Sequence, residues 1–172
     1  MKVTRVETRC VTVKLDKPIG SALGQLHSFG CILIFVHCDS GIIGENLIFT
    51  LNARRTRVLQ SMIEEMADLV IGHDAGHIAS FWARAWRDIN FLGHKGVPVV
   101  GISALDGALW DALGKMSKLP LYRILGGAQD RVPVYHSGGL WLSYSEKELV
   151  AEAESFAGAG FIGQKHHRHR CG

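Results

Sequence analysis

Three sets of residues in this 172-residue chain carry groups that could do chemistry. The first is Asp106, Asp111 and Lys115, within a stretch of helical character. The second is the run Lys165-His166-His167-Arg168-His169-Arg170 near the end. The third is four scattered cysteines, Cys10, Cys31, Cys38 and Cys171. Two carboxylates can share general acid and base work only when they face one another. Asp106 and Asp111 are five residues apart, so on a helix they point about 140° from each other and cannot form such a pair. Asp111 and Lys115, four apart, can pair along a helix surface. The histidines at 166, 167 and 169 could grip Zn²⁺ or Ni²⁺, but a defined zinc site needs fixed geometry and usually four ligands. That tail is read as offering adventitious affinity only, and no metal site is assigned. The cysteines form no CxxC pair and no dense framework, the pattern of reduced thiols in a cytoplasm.

Charge narrows the partners. The net charge is +3, and from Phe161 onward Lys165, Arg168 and Arg170 stand without an acid, so that segment supplies the whole excess. Residues 1–160 are balanced, which argues against a nucleic-acid face. No apolar run reaches the length of a membrane span, and the alternating N-terminus Met1–Glu7 has no apolar core of a signal peptide. A cytoplasmic protein without membrane partners is the expectation.

These residues need elements to position them. Val11, Val13 and Leu15 alternate with polar neighbours, which predicts a strand over residues 2–15. Residues 16–24, rich in turn formers, predict a mobile loop. Cys31 to Val36 is continuously apolar and reads as a strand covered on both faces. His37–Gly41 is a turn, and Ile42–Ile48 a third strand, completing an antiparallel meander. Helical spacing follows. Asn52 is a candidate N-cap for a helix burying Val58, Met62, Met66 and Leu69. A second helix runs from Ile78 to Ile89. A third opens near Pro98 and carries Ile102, Leu105, Leu109, Leu113 and Met116 on one face. Gly107 and Gly114 on it suggest close approach to neighbouring backbone. Trp82, Trp86, Trp110 and Trp141 read as core or interface aromatics. Beyond Gly126-Gly127 the pattern becomes a short strand at Val132–Tyr135, a loop at Ser137–Gly139, a helix over Glu146–Ala157 and a new strand from Phe161. That is a βα unit with its successor beginning.

The stretch Gly101-Ile102-Ser103-Ala104-Leu105-Asp106-Gly107-Ala108-Leu109-Trp110-Asp111-Ala112-Leu113-Gly114-Lys115 resembles the signature helix of the mandelate racemase/muconate lactonizing group of the enolase superfamily. The following Leu119-Pro120-Leu121-Tyr122-Arg123-Ile124-Leu125-Gly126-Gly127 matches that group's next segment, and Ile34 to Glu45 looks like its second and third capping-domain strands. The likeness covers residues 1 to about 165. It implies an α+β fold: an enolase-like capping domain over residues 1–127, with a meander followed by a helical bundle. Residues 128–172 would then be the start of an incomplete (β/α) barrel with an aberrant His/Arg tail.

The resemblance also implies a chemistry. Members abstract the proton α to a carboxylate, as racemases, cycloisomerases or acid-sugar dehydratases, with Mg²⁺ stabilising the enediolate. A carbon acid beside a carboxylate is very weak, so the charge that develops must meet a metal and cations already in place. Gly160 to Lys165 looks like the approach to the family's Lys-x-Lys motif. Lys165 falls on the first lysine, which binds the substrate carboxylate, and His167 stands where the second, the usual base, belongs. Ile19 and Ser21 in one capping loop, and Phe49 and Thr50 in the other, are candidates for facing a small carboxylate substrate. The family's metal carboxylates lie on later strands that this sequence does not contain. Residues 1–172 are therefore expected to bind no Mg²⁺ specifically and to be inactive alone, the strands of an unclosed barrel being loosely held. The resemblance further implies a possible homo-oligomer. The alternative reading is a non-catalytic protein-binding or structural domain.

Overall fold

β1 (Val3–Ser21), β2 (Gly24–Cys38) and β3 (Ile43–Leu51) form one antiparallel sheet in the order β1-β2-β3, in a computed structural model that describes residues 1–21 and 24–165. The meander expected from the sequence is present, but its first two strands are longer than expected. Residues 16–21, read as a mobile loop, continue β1, and β2 starts at Gly24. Pairing between neighbouring antiparallel strands outweighs the turn-forming composition, because each residue added to the hairpin satisfies its backbone groups.

β2 alternates rather than being covered on both faces. Ile32, Ile34, Val36 and Cys38 are buried, whereas Cys31, Leu33, Phe35 and His37 between them are only half-buried. The continuous apolar run therefore marks a sheet with one covered face.

Four helices follow in the segment up to Gly127. They are α1 (Thr56–Glu65), α2 (Ile78–Asp88), α3 (Val97–Ser117) and the single turn α4 (Leu121–Ile124), with 3₁₀ turns after α1 and α2. Two expectations for α1 need correction. Asn52 does not cap it: Asn52 and Ala53 have φ of 54° and 50°, in a left-handed turn, and the N-cap is Arg55. Val58 faces solvent, and Ile63 takes the core position with Met66. α1 begins about one turn later than supposed, and its core-facing stripe runs through Leu59, Met62, Ile63 and Met66.

α3 is the centre of the core. Ile102, Leu105 and Leu109 are buried as expected, together with Ala104, Ala108 and Ala112, while Met116 at its C-terminal end is exposed. By length and composition α3 is apolar enough to cross a membrane, and its buried residues instead pack in this core. Its close contact with β3 depends on missing side chains. A Cβ at Gly44 would fall on the carbonyl of Ala108, and one at Gly107 on the amide of Asn46. That amide donates to the carbonyl of Ala104 at 2.9 Å.

The chain divides into two units, Met1–Val13 with Phe29–Gly127, and Lys14–Ser28 with Ala128–Gly172. The tip of the β1–β2 hairpin thus belongs with the C-terminal residues. In that second unit α5 (Glu146–Gly158) is present, started by a capping box. Ser145 Oγ accepts from the Glu148 backbone, and Glu148 Oε2 accepts from the Ser145 backbone at 2.8 Å. No residue of α5 is fully buried. Among the described residues, neither Val132–Tyr135 nor residues 161–165 form a strand. One parallel bridge joins His136 to Gln164, flanked by hydrogen bonds from Ile162 N to Val134 O (3.3 Å), His136 N to Gly163 O (2.9 Å) and Lys165 N to His136 O (3.0 Å). The pairing is that of adjacent parallel strands, too short to count as a ladder.

Candidate functional site

The four candidate substrate-facing residues fall in different units. Ile19 and Ser21 end β1 in the second unit, and Phe49 and Thr50 end β3 in the first. Strand geometry separates the latter pair, because successive side chains leave opposite faces. Phe49 projects from the outer face and meets Phe29 edge-on, with centroids 5.8 Å apart. Thr50 projects inward. Its hydroxyl shares a 2.6 Å hydrogen bond with that of buried Thr56 and lies 3.3 Å from the carbonyl of Gly30. No single surface takes both, and Thr50 holds the turn into α1.

Ile19 lies in a segment anchored within the second unit. The backbone N–H of Gly20 donates to Ser143 Oγ at 3.3 Å, and that hydroxyl donates to Pro18 O at 3.3 Å. Lys17 Nζ donates to Glu148 Oε1 at 2.6 Å and sits 4.0 Å from the Tyr144 ring centroid. The Lys17 ammonium, with the Ser145 backbone and hydroxyl, holds the Glu148 carboxyl down to about 2, and Glu148 in turn raises Lys17. This docking of hairpin tip to α5 was not read from the sequence. The Ser145 cap of α5 was not read there either, although a Ser followed three residues later by Glu is a local signal for one; a partner 131 residues away has no such signal.

Lys165 is exposed, and its backbone N–H is tied to His136 O. The next residue back, Gln164, donates from its side chain to Ala153 O on α5 at 2.7 Å. His136 packs on the same side as α5, stacked at 3.7 Å on Phe156 and edge-on to Phe161. The residues at 166, 167 and 169, with the position read as the second lysine of the motif, lie outside the described residues.

The acids of α3 have structural partners. Asp106 accepts from Trp82 Nε1 at 2.7 Å. Asp111 pairs with Lys115 at 2.7 Å, as its spacing suggested, and accepts from the backbone of Glu45 at 2.8 Å. Lys115 also bonds Glu45 at 2.6 Å. Burial alone would pull its pKa down, but the hydrogen bonds to Asp111 and Glu45 lift it above its ordinary value. Among the described residues no three His, Cys, Asp or Glu side chains come together as metal ligands. The described residues therefore offer no ready-made three-ligand set for the Mg²⁺ that the resemblance implies.

The model of the mandelate racemase/muconate lactonizing enzyme N-terminal domain matches residues 3–126. The chain belongs to the mandelate racemase/muconate lactonizing enzyme family. Within it, 160 residues are 29% identical to a 3,6-anhydro-α-L-galactonate cycloisomerase of Streptomyces coelicolor, covering 92% of this chain and 44% of that protein. A D-mannonate dehydratase of Xanthomonas oryzae pv. oryzicola is 35% identical over 133 residues, 76% of this chain and 30% of its own length. The crystal structure of a racemase from Streptomyces coelicolor with bound magnesium superposes with a TM-score of 0.90 at 27% identity, over 99% of this chain and 48% of that one. The chain spans about half the length, or less, of these family members. The α+β architecture is therefore that of the family's capping domain joined to the start of its barrel.

Proposed function

We propose that residues 1–172 form the capping half of a Mg²⁺-dependent enzyme that abstracts the α-proton of a small carboxylate, as a racemase, cycloisomerase or acid-sugar dehydratase. The observation that carries this reading is the family match over residues 3–126, joined to a fold shared with a magnesium-bound relative over nearly the whole chain. The cycloisomerase and the D-mannonate dehydratase among the relatives favour a hydroxylated acid as substrate.

In this reading the hairpin tip works as the substrate-shaping element. Ile19 and the strand end at Ser21 lie beside the substrate, while Lys17–Glu148 and Gly20–Ser143 hold that segment in place. Thr50 contributes indirectly by fixing the turn that leaves β3. Lys165 presents a cation to the substrate carboxylate; its exposed side chain on a backbone anchored to His136 supports that role. Residues 1–127 are proposed as the capping domain and 128–172 as the barrel's first βα unit. The setting is cytoplasmic, without nucleic-acid or membrane partners. A chain of residues 1–172 alone turns nothing over, because the described residues hold no set of metal ligands.

Two measurements test this. Purified residues 1–172 with Mg²⁺ and a panel of sugar acids in D₂O should show no α-proton exchange by NMR. Exchange above the buffer rate would sink the inactive-half reading. Residues 1–127 grafted onto the Xanthomonas D-mannonate dehydratase in place of the matching segment should keep Mg²⁺-dependent exchange and alter the preference among sugar acids. A folded chimera with its parent's preferences unchanged would remove the substrate-shaping role.

A further inference from the structure

Arg54, Arg55 and Arg57 crowd the entry to α1, and all three are exposed. Positive charge is disfavoured there, because the first turn of a helix carries the positive end of its dipole. That turn of α1 holds no acid, and none of the three arginines forms an ion pair among the described residues. Function is expected where a local charge rule is broken without a compensating contact. Arg55 and Arg57 also line an open cavity of about 420 Å³, within the size range of small-ligand sites. Cys10, Val11 and Thr12 of β1 form its other wall, Ala53, Thr56 and Val58 complete it, and no carboxylate lines it. Burial raises the Cys10 thiol above its ordinary pKa and the charge of Arg57 pulls against that rise, so Arg57 acts across the cavity. Glu64, which Cys10 also feels, is already engaged by Thr8 and Gln60.

We propose that this cavity binds a small organic phosphate. Guanidinium groups present their donors as a planar fork that matches phosphate and carboxylate oxygens. Two arginines lining one acid-free cavity call for a ligand with more than one negative charge, and a phosphate monoester carries about 1.5 to 2 at neutral pH. A monocarboxylate, such as the hydroxylated acid of the proposed reaction, would leave one guanidinium without a counter-charge. Val11, Ala53 and Val58 supply apolar wall for the organic part of the ligand, and Thr12 adds a hydroxyl. A nucleic acid would need an extended basic stripe, whereas residues 1–160 are balanced in charge. A bound phosphate joins β1 to the turn after β3, which Thr50 and Thr56 already fasten, and so stabilises the folded first unit. The inference is independent of the roles proposed for Lys165 and the hairpin tip.

NMR titration of isotope-labelled residues 1–172 with glycerol 3-phosphate, at constant ionic strength, tests it. Saturable amide shifts are expected at residues 10–12 and 53–58, the two walls of the cavity. Gluconate, a monocarboxylate, is expected to bind about tenfold more weakly. Arg57→Ala should weaken glycerol 3-phosphate binding about tenfold or more, through loss of a charge-assisted hydrogen bond, with an unchanged far-UV circular dichroism spectrum. Arg55→Asn removes the other fork but keeps a residue that tolerates the left-handed φ of 60°, so weaker binding there does not come from damage to folding. Arg57→Lys, which keeps the charge and loses the fork, should fall between Arg57→Ala and the wild-type chain. Shifts that do not saturate, gluconate bound as tightly at the same amides, or undiminished binding in Arg57→Ala and Arg55→Asn would overturn the proposal.

Discussion

The two units of this chain are held together by different physics. In the first, a single core runs through Val3, Ile32, Ile34, Ile63, Met66, Phe81, Ile102, Leu105 and Leu109, with strand and helix backbones satisfying their own hydrogen bonds. In the second, Leu140 is the one buried large hydrophobic residue among those described, and α5 buries none of its own. Its order comes from polar clasps and rings: Lys17–Glu148, Ser143 with Gly20 and Pro18, Gln164 with Ala153, and His136 between Phe156 and Phe161. Apolar burial is additive and hard to lose piecemeal, whereas exposed polar clasps contribute little each and respond to pH and salt. The lesson is that the unit carrying the family's signature helix has its own stability, and the unit carrying Lys165 borrows little from burial.

That contrast can be broken at three points. The largest expected effect is Leu105→Ala on α3. Removing a fully buried side chain there should destabilise the first unit by about 2–5 kcal/mol, read by urea denaturation, whereas Val150→Ala on the surface of α5 should stay within about 0.5 kcal/mol. Equal costs at the two positions would mean that α5 has a hidden core contact. A smaller loss, about 1–3 kcal/mol, is expected for Trp82→Phe, which leaves the half-buried Asp106 carboxylate without its 2.7 Å donor. If Trp82→Phe/Asp106→Leu costs more than Trp82→Phe alone, the hydrogen bond is not the reason.

The smallest effect concerns acid. Glu7 and Glu148 both titrate near 2 in the folded chain, against an ordinary value of 4.5. Arg5 and Arg9 hold the first, and Lys17 with Ser145 holds the second. A depressed carboxyl pKa adds stability above about 4.5, and that increment disappears as pH falls through about 2. In the first unit the core remains when Glu7 is protonated. In the second, loss of the Glu148 charge removes a principal clasp. Hydrogen exchange should therefore show α5 losing protection at higher pH than β2, with Glu148→Gln reproducing the loss at neutral pH. Simultaneous loss in both elements would show that they open as one.

Much of the first unit was legible in the residues. Alternation along Val11–Leu15, the helical spacing of Ile102, Leu105 and Leu109, Pro98 at the start of α3, and the Asp111–Lys115 spacing each express a local rule that the fold obeys. The misreadings have a common cause. Asn52 as a cap, Val58 as a core residue and residues 16–21 as a loop were inferred from local composition. Thr56 packing under Gly30, and the pairing of the two long strands, decided otherwise. The candidate site was legible only as a set of positions. Period-two geometry separates Phe49 from Thr50, and only the fold shows Thr50 spending its hydroxyl on Thr56.

The order of strands and helices, the apolar stripe of α3 and the kinship of its signature segment were determined by the sequence alone, because periodicity and short-range pairing act within a few residues. Which face of the sheet is covered, which carboxylate meets Lys17 rather than a metal, and why Gly44 and Gly107 bear no side chain were decided by tertiary structure. Those outcomes depend on groups dozens to more than a hundred residues apart arriving at one place, and no local pattern encodes a distance between elements that have not yet packed.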